Sequence, residues 1–320
     1  MSRLDILRAG ISKTDQILEI GPYFNPIAPK GDGYQAVTID VFDADQLRRN
    51  AAADPNIPDS RIGEIEDVDL VGSAADLEGL TRARFGDDFK FDWILSSHNI
   101  EHIPNPIRFL QQCDGVLRRT GRLRLAIPDK RYCFDHYRQL TDTTDWLEAF
   151  FEERRKPTVY QVFRAASLHG TAESDGSGWK PATKALSLYR EWFGPSGNLP
   201  VDYIDTHCWT FTPDSFELLI RDVVAFGMVN LRVEQVTAPG GFEFFVDLSS
   251  TASSDVGSEQ QFYIMREQLL RRTHATEPTQ NGRATRDETS YLGLGWLIPR
   301  VRRETLRIIH QLKSSLGRGQ

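Results

Sequence analysis

Gln16-Ile-Leu-Glu-Ile-Gly-Pro-Tyr-Phe-Asn-Pro26 decides the fold. A short apolar run carrying one acid stops at Gly21-Pro22. Four to six such residues between turn formers read as a buried strand. Further along the chain the same reading recurs at 36–39 before Asp40, 67–71 before Gly72, 91–96 in a pair of serines, and 123–127 before Pro128. Helical stretches separate these runs. Asn105-Pro106 opens one of them, as an N-cap followed by proline in the first turn. Ile107, Leu110, Gln111, Asp114 and Leu117 continue it, and Gly121 closes it. Strand alternating with helix predicts an α/β fold: a Rossmann-like, doubly wound, mainly parallel sheet with helices on both faces.

From 129 to 212 the strand pattern stops. Helices are expected at 144–155, 157–168 and 185–193, with a glycine-rich loop at 170–178. This segment reads as a helical insertion over the sheet. Thr212-Pro213-Asp214 then caps a helix to about Phe226. Runs at 228–236 and 242–248, joined by Ala238-Pro-Gly-Gly241, predict an antiparallel hairpin that completes seven strands. The expected organisation is one domain over 1–250, a helix and linker over 251–290, and a basic amphipathic helix over 291–320.

Composition narrows the function. No apolar run reaches 18 residues, and the first eleven residues hold no apolar core of a signal peptide. A cytoplasmic protein is expected. Cys113, Cys133 and Cys208 have no CxxC spacing, which disfavours a disulfide framework and a cysteine zinc site. The chain carries −7 overall. Residues 291–320 carry +5, which leaves −12 on the rest. So acidic a body argues against nucleic acid as partner. The basic, apolar last helix suits peripheral contact with the inner face of a membrane, or docking on the chain's own acidic body. Oligomeric state is left open.

In an open α/β sheet, ligands bind at the carboxyl ends of the strands. There stand Glu19, Gly21 and Pro22 after the first strand, and Asp40 after the second. Asp40 follows Gly21 by 19 residues, the spacing at which a carboxylate accepts from ribose hydroxyls. An adenosine-containing cofactor is implied. One glycine and two prolines replace the GxGxxG loop, which disfavours NAD and FAD.

Glu19-Ile-Gly-Pro22, Asp40, Gly72-Ser-Ala-Ala-Asp-Leu77, Phe91-Asp-Trp-Ile-Leu-Ser-Ser-His-Asn-Ile-Glu-His102 and Leu117-Arg-Arg-Thr-Gly-Arg-Leu-Arg-Leu-Ala-Ile-Pro128 stand in order, each at a strand end. This series resembles the motifs of class I S-adenosylmethionine-dependent methyltransferases, over about residues 10–130. The resemblance implies S-adenosyl-L-methionine as cofactor. It places Gly21 and Pro22 along the methionine part, Glu19 facing its ammonium, and Asp40 on the ribose diol. Ala74 and Asp76 would flank the adenine, and Ser97 and His98 would lie beside the sulfonium. Ser73 departs from the family, which has an acid there; Tyr23 and Phe24 stand where a second glycine is usual. Asp129-Lys-Arg-Tyr-Cys-Phe-Asp-His-Tyr-Arg138 resembles bacterial methyltransferases associated with surface-polysaccharide synthesis.

His98-Asn-Ile-Glu101-His102 matches the inverted zincin pattern, which needs a helix. Pro104 and Pro106 oppose one. Some metal-dependent O-methyltransferases carry E-x-x-E-H here, with His98 now replacing the first Glu. The reading adopted has no metal. Methyl transfer to a hydroxyl needs a proton acceptor, and imidazole suits neutral pH. His98 is the first candidate, His207 the second with Asp205 to orient it, and Asp129 the third. Aromatic residues of the insertion suit sugar rings. The sequence thus predicts an O-methyltransferase acting on a sugar or glycan; the alternative is a cofactor-binding scaffold of a glycan-assembly complex that has lost catalysis.

Overall fold

A computed structural model describes residues 2–55, 57–174, 178–200, 203–238, 241–250 and 258–275. The helix expected over 291–320 lies outside them, as do 239–240 of the hairpin turn. The strands are β1 (Ile17–Ile20), β2 (Ala36–Asp40), β3 (Leu70–Val71), β4 (Phe91–Ser97), β5 (Leu117–Pro128), β6 (Gly170–Ala172), β7 (Trp179–Pro181), β8 (Leu231–Thr237) and β9 (Glu243–Ser250). The helices are α1 (Arg3–Arg8), α2 (Ala44–Ala52), α3 (Asp59–Ile62), α4 (Leu77–Phe85), α5 (Pro106–Val116), α6 (Thr143–Phe151), α7 (Val159–Ser167), α8 (Ala185–Trp192), α9 (Pro213–Ala225) and α10 (Glu259–Ala275).

Seven strands form one sheet in the order β3-β2-β1-β4-β5-β9-β8. The pairs from β3 to β5 are parallel, and β9 runs antiparallel to both β5 and β8. This is the expected Rossmann-like sheet with its final hairpin. Leu18 and Ile20 of β1 join one core with Ile94, Phe109, Leu110, Leu123, Phe216 and Phe244. Ile17 joins Leu7, Ile27, Trp93, Leu95, Ala126 and Phe245 on the other face. The period of two along each strand therefore supplies both cores.

Two of the helix ends held by side chains bear on the sheet's carboxyl edge and on β5. Asn105 caps α5 by accepting from the Arg108 N–H at 3.0 Å, with Pro106 next, as expected. Arg124 of β5 holds α1 on the sheet. Its Nη1 donates to the carbonyls of Ile6, Leu7 and Ala9, while Nε and Nη2 grip Asp247 at 2.6 and 2.7 Å. A guanidinium at a helix C-terminus satisfies carbonyls that lack a partner within the helix.

The insertion divides. Trp146 and Ala149 of α6 pack in the main core, whereas α7 and α8 share a small cluster around Val162, Leu188 and Trp192. The loop expected over 170–178 begins instead as β6, which pairs with β7 just beyond it; this antiparallel pair of three-residue strands is too short to show periodicity in sequence.

Candidate active site

The strand order reverses between β1 and β4, and there an open α/β sheet forms its ligand crevice. Directly after β1 stands Gly21, whose φ of 61° is left-handed and whose Cβ position has no heavy atom within 4 Å. Backbone conformation rather than crowding favours glycine there. Glu19 shares the face of Ile17 and turns inward. Its carboxylate accepts from the Ile27 N–H at 2.6 Å and the Ala28 N–H at 3.0 Å. Burial raises its pKa to about 7, against the pull of those two amides. Glu19 thus holds the loop that Pro22 begins.

Asp40 ends β2 in register with Val71 and accepts from the Phe42 N–H at 3.1 Å. Desolvation raises its pKa. Val41, Phe42 and Val71 are exposed beside it in the chain or the register. Ser73 accepts from the Ala75 N–H, Ala74 is buried, and Asp76 meets Arg155 of the insertion at 3.3 Å.

At the end of β4, His98 also has a left-handed backbone, with φ 50°. That conformation is costly outside glycine and concentrates at functional sites. The His98 Nε2 lies 3.0 Å from Glu243 Oε2, and its ring tilts against Phe242. Glu243 opens β9 opposite Pro128. Its other oxygen accepts from Arg3 Nε at 2.8 Å, and Arg3 Nη2 donates to Ser97 Oγ at 2.6 Å. Burial pushes the Glu243 pKa up, but His98 and Arg3 outweigh it and hold the carboxyl below its ordinary range. Neither Arg3 nor Glu243 was expected from sequence. The available signal was an acid leading the apolar run Phe244-Phe245-Val246.

Behind His98 the chain makes turns, not a helix: the His102 N–H donates to the Asn99 carbonyl and Ile103 to Ile100. The H-x-x-E-H pattern therefore lacks the helical geometry of a zincin. The Glu101 carbonyl accepts from the Cys208 and Trp209 N–H groups at 2.7 and 3.2 Å, and Trp209 Nε1 donates to the Ile103 carbonyl at 2.6 Å. These bonds stitch the segment carrying His207 to the loop carrying Glu101.

His207 is buried, with Nδ1 2.5 Å from Asp135 Oδ2. Asp205, expected to orient His207, instead pairs with His102 Nδ1 at 3.0 Å. The reason is Arg138, which grips Asp135 at 2.7 Å and the His207 carbonyl at 2.8 Å, fixing that carboxylate beside the ring. For His102, burial pulls the pKa down, yet Asp205, Glu101 and Asp135 together raise it to about 9. Against the desolvation that raises them, His102 holds Asp205 down at about 2, and Arg138 with His207 holds Asp135 lower still. Asp129, the third candidate, is engaged by Arg131 through both carboxylate oxygens.

Three histidines converge on one atom. Glu101 Oε1 lies 3.8 Å from His98 Nδ1, 4.0 Å from His102 Nε2 and 3.9 Å from His207 Nε2.

Residues 21–125, about a third of the chain, match the family model described as a methyltransferase domain. That stretch is similar to a methyltransferase domain. Among solved structures, the chain is similar to the CcbJ methyltransferase from Streptomyces caelestis, at 11% identity over 78% of this chain and 97% of that one, TM-score 0.41. It is similar to an S-adenosylmethionine-dependent methyltransferase from Mesorhizobium loti, at 11% over 77% and 97%, TM-score 0.39. A third, a SAM-dependent methyltransferase from Aquifex aeolicus, gives 12% over 76% and 85%, TM-score 0.37. No curated protein matches the sequence. Among the described residues, no helix is long and apolar enough to cross a membrane.

Proposed function

We propose that this chain methylates a hydroxyl oxygen of a sugar or glycan. The observation that carries the reading is the His98–Glu243 pair at the end of β4, beside the crevice of the sheet. A hydroxyl needs a positioned base, and a carboxylate on one ring nitrogen fixes the tautomer and orientation of a histidine. His98 takes the hydroxyl proton, and Glu243 and Arg3 hold the ring and its neighbour Ser97 in place.

The crevice residues suit the cofactor. Asp40 offers a desolvated acceptor for a diol, with the apolar Val41, Phe42 and Val71 for the base. The Glu19-held loop and Gly21 leave room for backbone approach. The cofactor supplies an electrophilic methyl on a sulfonium. An acceptor hydroxyl held beside that methyl would give its proton to His98 as it takes the methyl, with the cofactor's thioether as leaving group. Alignment of acceptor and methyl supplies much of the rate.

A sugar acceptor is supported by Tyr160, Phe193 and Tyr189. Their rings form a stacked row on the insertion, with Tyr160 and Tyr189 exposed. Aromatic faces with polar tips suit sugar rings. The basic, apolar sequence of 291–320 suits an acceptor carried on a lipid.

Titration calorimetry with S-adenosylhomocysteine, with NAD as control, tests the cofactor half. Binding of the first and not the second is expected, and Asp40→Ala should abolish it. A screen of glycan acceptors with labelled methyl donor tests the rest. The reading fails if hydroxyl acceptors stay unlabelled, or if His98→Ala leaves turnover intact.

A further inference from the structure

We propose that Glu101, His102 and His207 form a divalent transition-metal site. The ligand atoms of these three residues all lie within 4.8 Å of one another. Glu101 is fully buried, and neither of its oxygens has a hydrogen-bond partner. The Nε2 of His102 is buried and unpartnered too. A carboxylate taken from water without hydrogen bonds is strongly unfavourable unless it is paired or binds a metal. These orphaned atoms face one another: both imidazoles aim Nε2 at Glu101 Oε1, at 3.9 and 4.0 Å.

The outer contacts fit the same reading. Each imidazole offers its other nitrogen, Nδ1, to a carboxylate: His102 to Asp205, His207 to Asp135. In a neutral imidazole such a bond fixes the tautomer that leaves a lone pair on Nε2, and it is the usual support of a metal-bound histidine; an ion bound there displaces the Nε2 proton. Asp135 is anchored in turn by Arg138, and the Glu101 and His207 backbones are held together by the bonds from Cys208 and Trp209. The site is therefore built on a framework, not on a loose surface cluster. Ligand atoms around an ion at about 2.1 Å stand about 3.4 Å apart in a tetrahedron. The two nitrogen–oxygen spacings, 3.9 and 4.0 Å, are about half an ångström wider, and closing on an ion takes side-chain rotation.

Two imidazoles and one carboxylate favour zinc, iron, cobalt or nickel over magnesium and calcium, which prefer all-oxygen sets. Three protein ligands leave coordination positions open. His98 Nδ1 lies 3.8 Å from Glu101 Oε1, so an open position faces the base. What the ion does there rests on the methyl-transfer reading: a coordinated acceptor hydroxyl gives up its proton more readily.

The experiment uses the full-length protein, stripped with chelator and reloaded with Zn²⁺, or with Co²⁺ as a visible probe. One equivalent of Zn²⁺ should remain after gel filtration, and Co²⁺ should give d–d absorption. Glu101→Gln and His102→Ala should each lose both, while His274→Ala, on the remote α10, keeps them. Asp205→Asn should weaken Zn²⁺ about 10–100-fold. Wild-type protein that retains no metal overturns the proposal even if every variant misfolds; so does folded Glu101→Gln that retains a full equivalent. Titration with S-adenosylhomocysteine before and after stripping separates the two readings. Metal uptake without binding of that ligand sinks methyl transfer and leaves the site standing; binding without metal uptake does the reverse.

Discussion

Glu243 and His98 lie 145 residues apart in sequence, yet Oε2 of the first sits 3.0 Å from Nε2 of the second. The contact exists because β9 inserts antiparallel beside β5, which brings Glu243 level with Pro128 at the carboxyl edge of the sheet. Glu243→Gln keeps the shape and removes the charge. Positioned acid–base groups contribute about 10²–10⁴-fold, so a fall in kcat of about 10–100-fold is expected for loss of the orienting partner. Affinity for S-adenosylhomocysteine should be unchanged. Steady-state kinetics beside calorimetry checks this, and an unchanged kcat would leave the pair a structural one.

The left-handed backbone of His98 makes a separate prediction about stability. Alanine and glycine both remove the imidazole, but only glycine adopts φ near 50° without strain. His98→Gly should therefore be about 1 kcal/mol more stable than His98→Ala, although glycine is normally the costlier residue for the unfolded chain to give up. Urea unfolding of the two variants decides it. The reverse order would show that the turn relaxes once the ring is gone.

Much of this site was legible because it lies at strand ends. Gly21, Asp40, Ser97 and His98 each follow a short apolar run, and the parallel topology brings those run ends to one edge. The partners were not legible. Arg3, Asp135 and Glu243 act across separations of 240, 72 and 145 residues, and local periodicity carries no information about contacts that distant. The swap of Asp205 from His207 to His102 has the same origin: Arg138 decides it, from another loop. Elements shorter than the pattern that reveals them were also missed or misjudged. β3 spans two residues where five were expected, and β6 and β7 span three each.

Glu19 should give stability a characteristic pH dependence. Its pKa rises from 4.5 to about 7 on folding, through burial. Between those values the native state binds more protons than the unfolded one, so stability falls as pH rises through that window and is level above it. The shift corresponds to roughly 3 kcal/mol. Glu19→Gln does not titrate. The stability of wild type relative to this variant should therefore decline by about that amount from pH 4.5 to 7. Urea unfolding at several pH values checks it. A flat difference would mean that the Ile27 and Ala28 amides fully satisfy the carboxylate.

Arg124 links the N-terminal helix to the site at a distance. Its guanidinium caps α1, pairs with Asp247 and lies 4.8 Å from the Trp93 ring centroid. Arg3, at the other end of α1, reaches Ser97 and Glu243. Replacing Arg124 with Met removes the cap and strands a buried carboxylate, a loss of about 3–5 kcal/mol. Arg124→Met with Asp247→Leu removes both charges and should recover much of that stability, since an apolar pair of similar volume costs little. It cannot recover the cap on α1. The double variant should therefore unfold near the wild-type midpoint while its N-terminal amides exchange faster, and turnover should fall because Arg3 no longer holds Glu243. Hydrogen exchange of residues 3–9 alongside kinetics tests this. A double variant with wild-type exchange would show that α1 is held by Leu7 and its apolar neighbours rather than by Arg124.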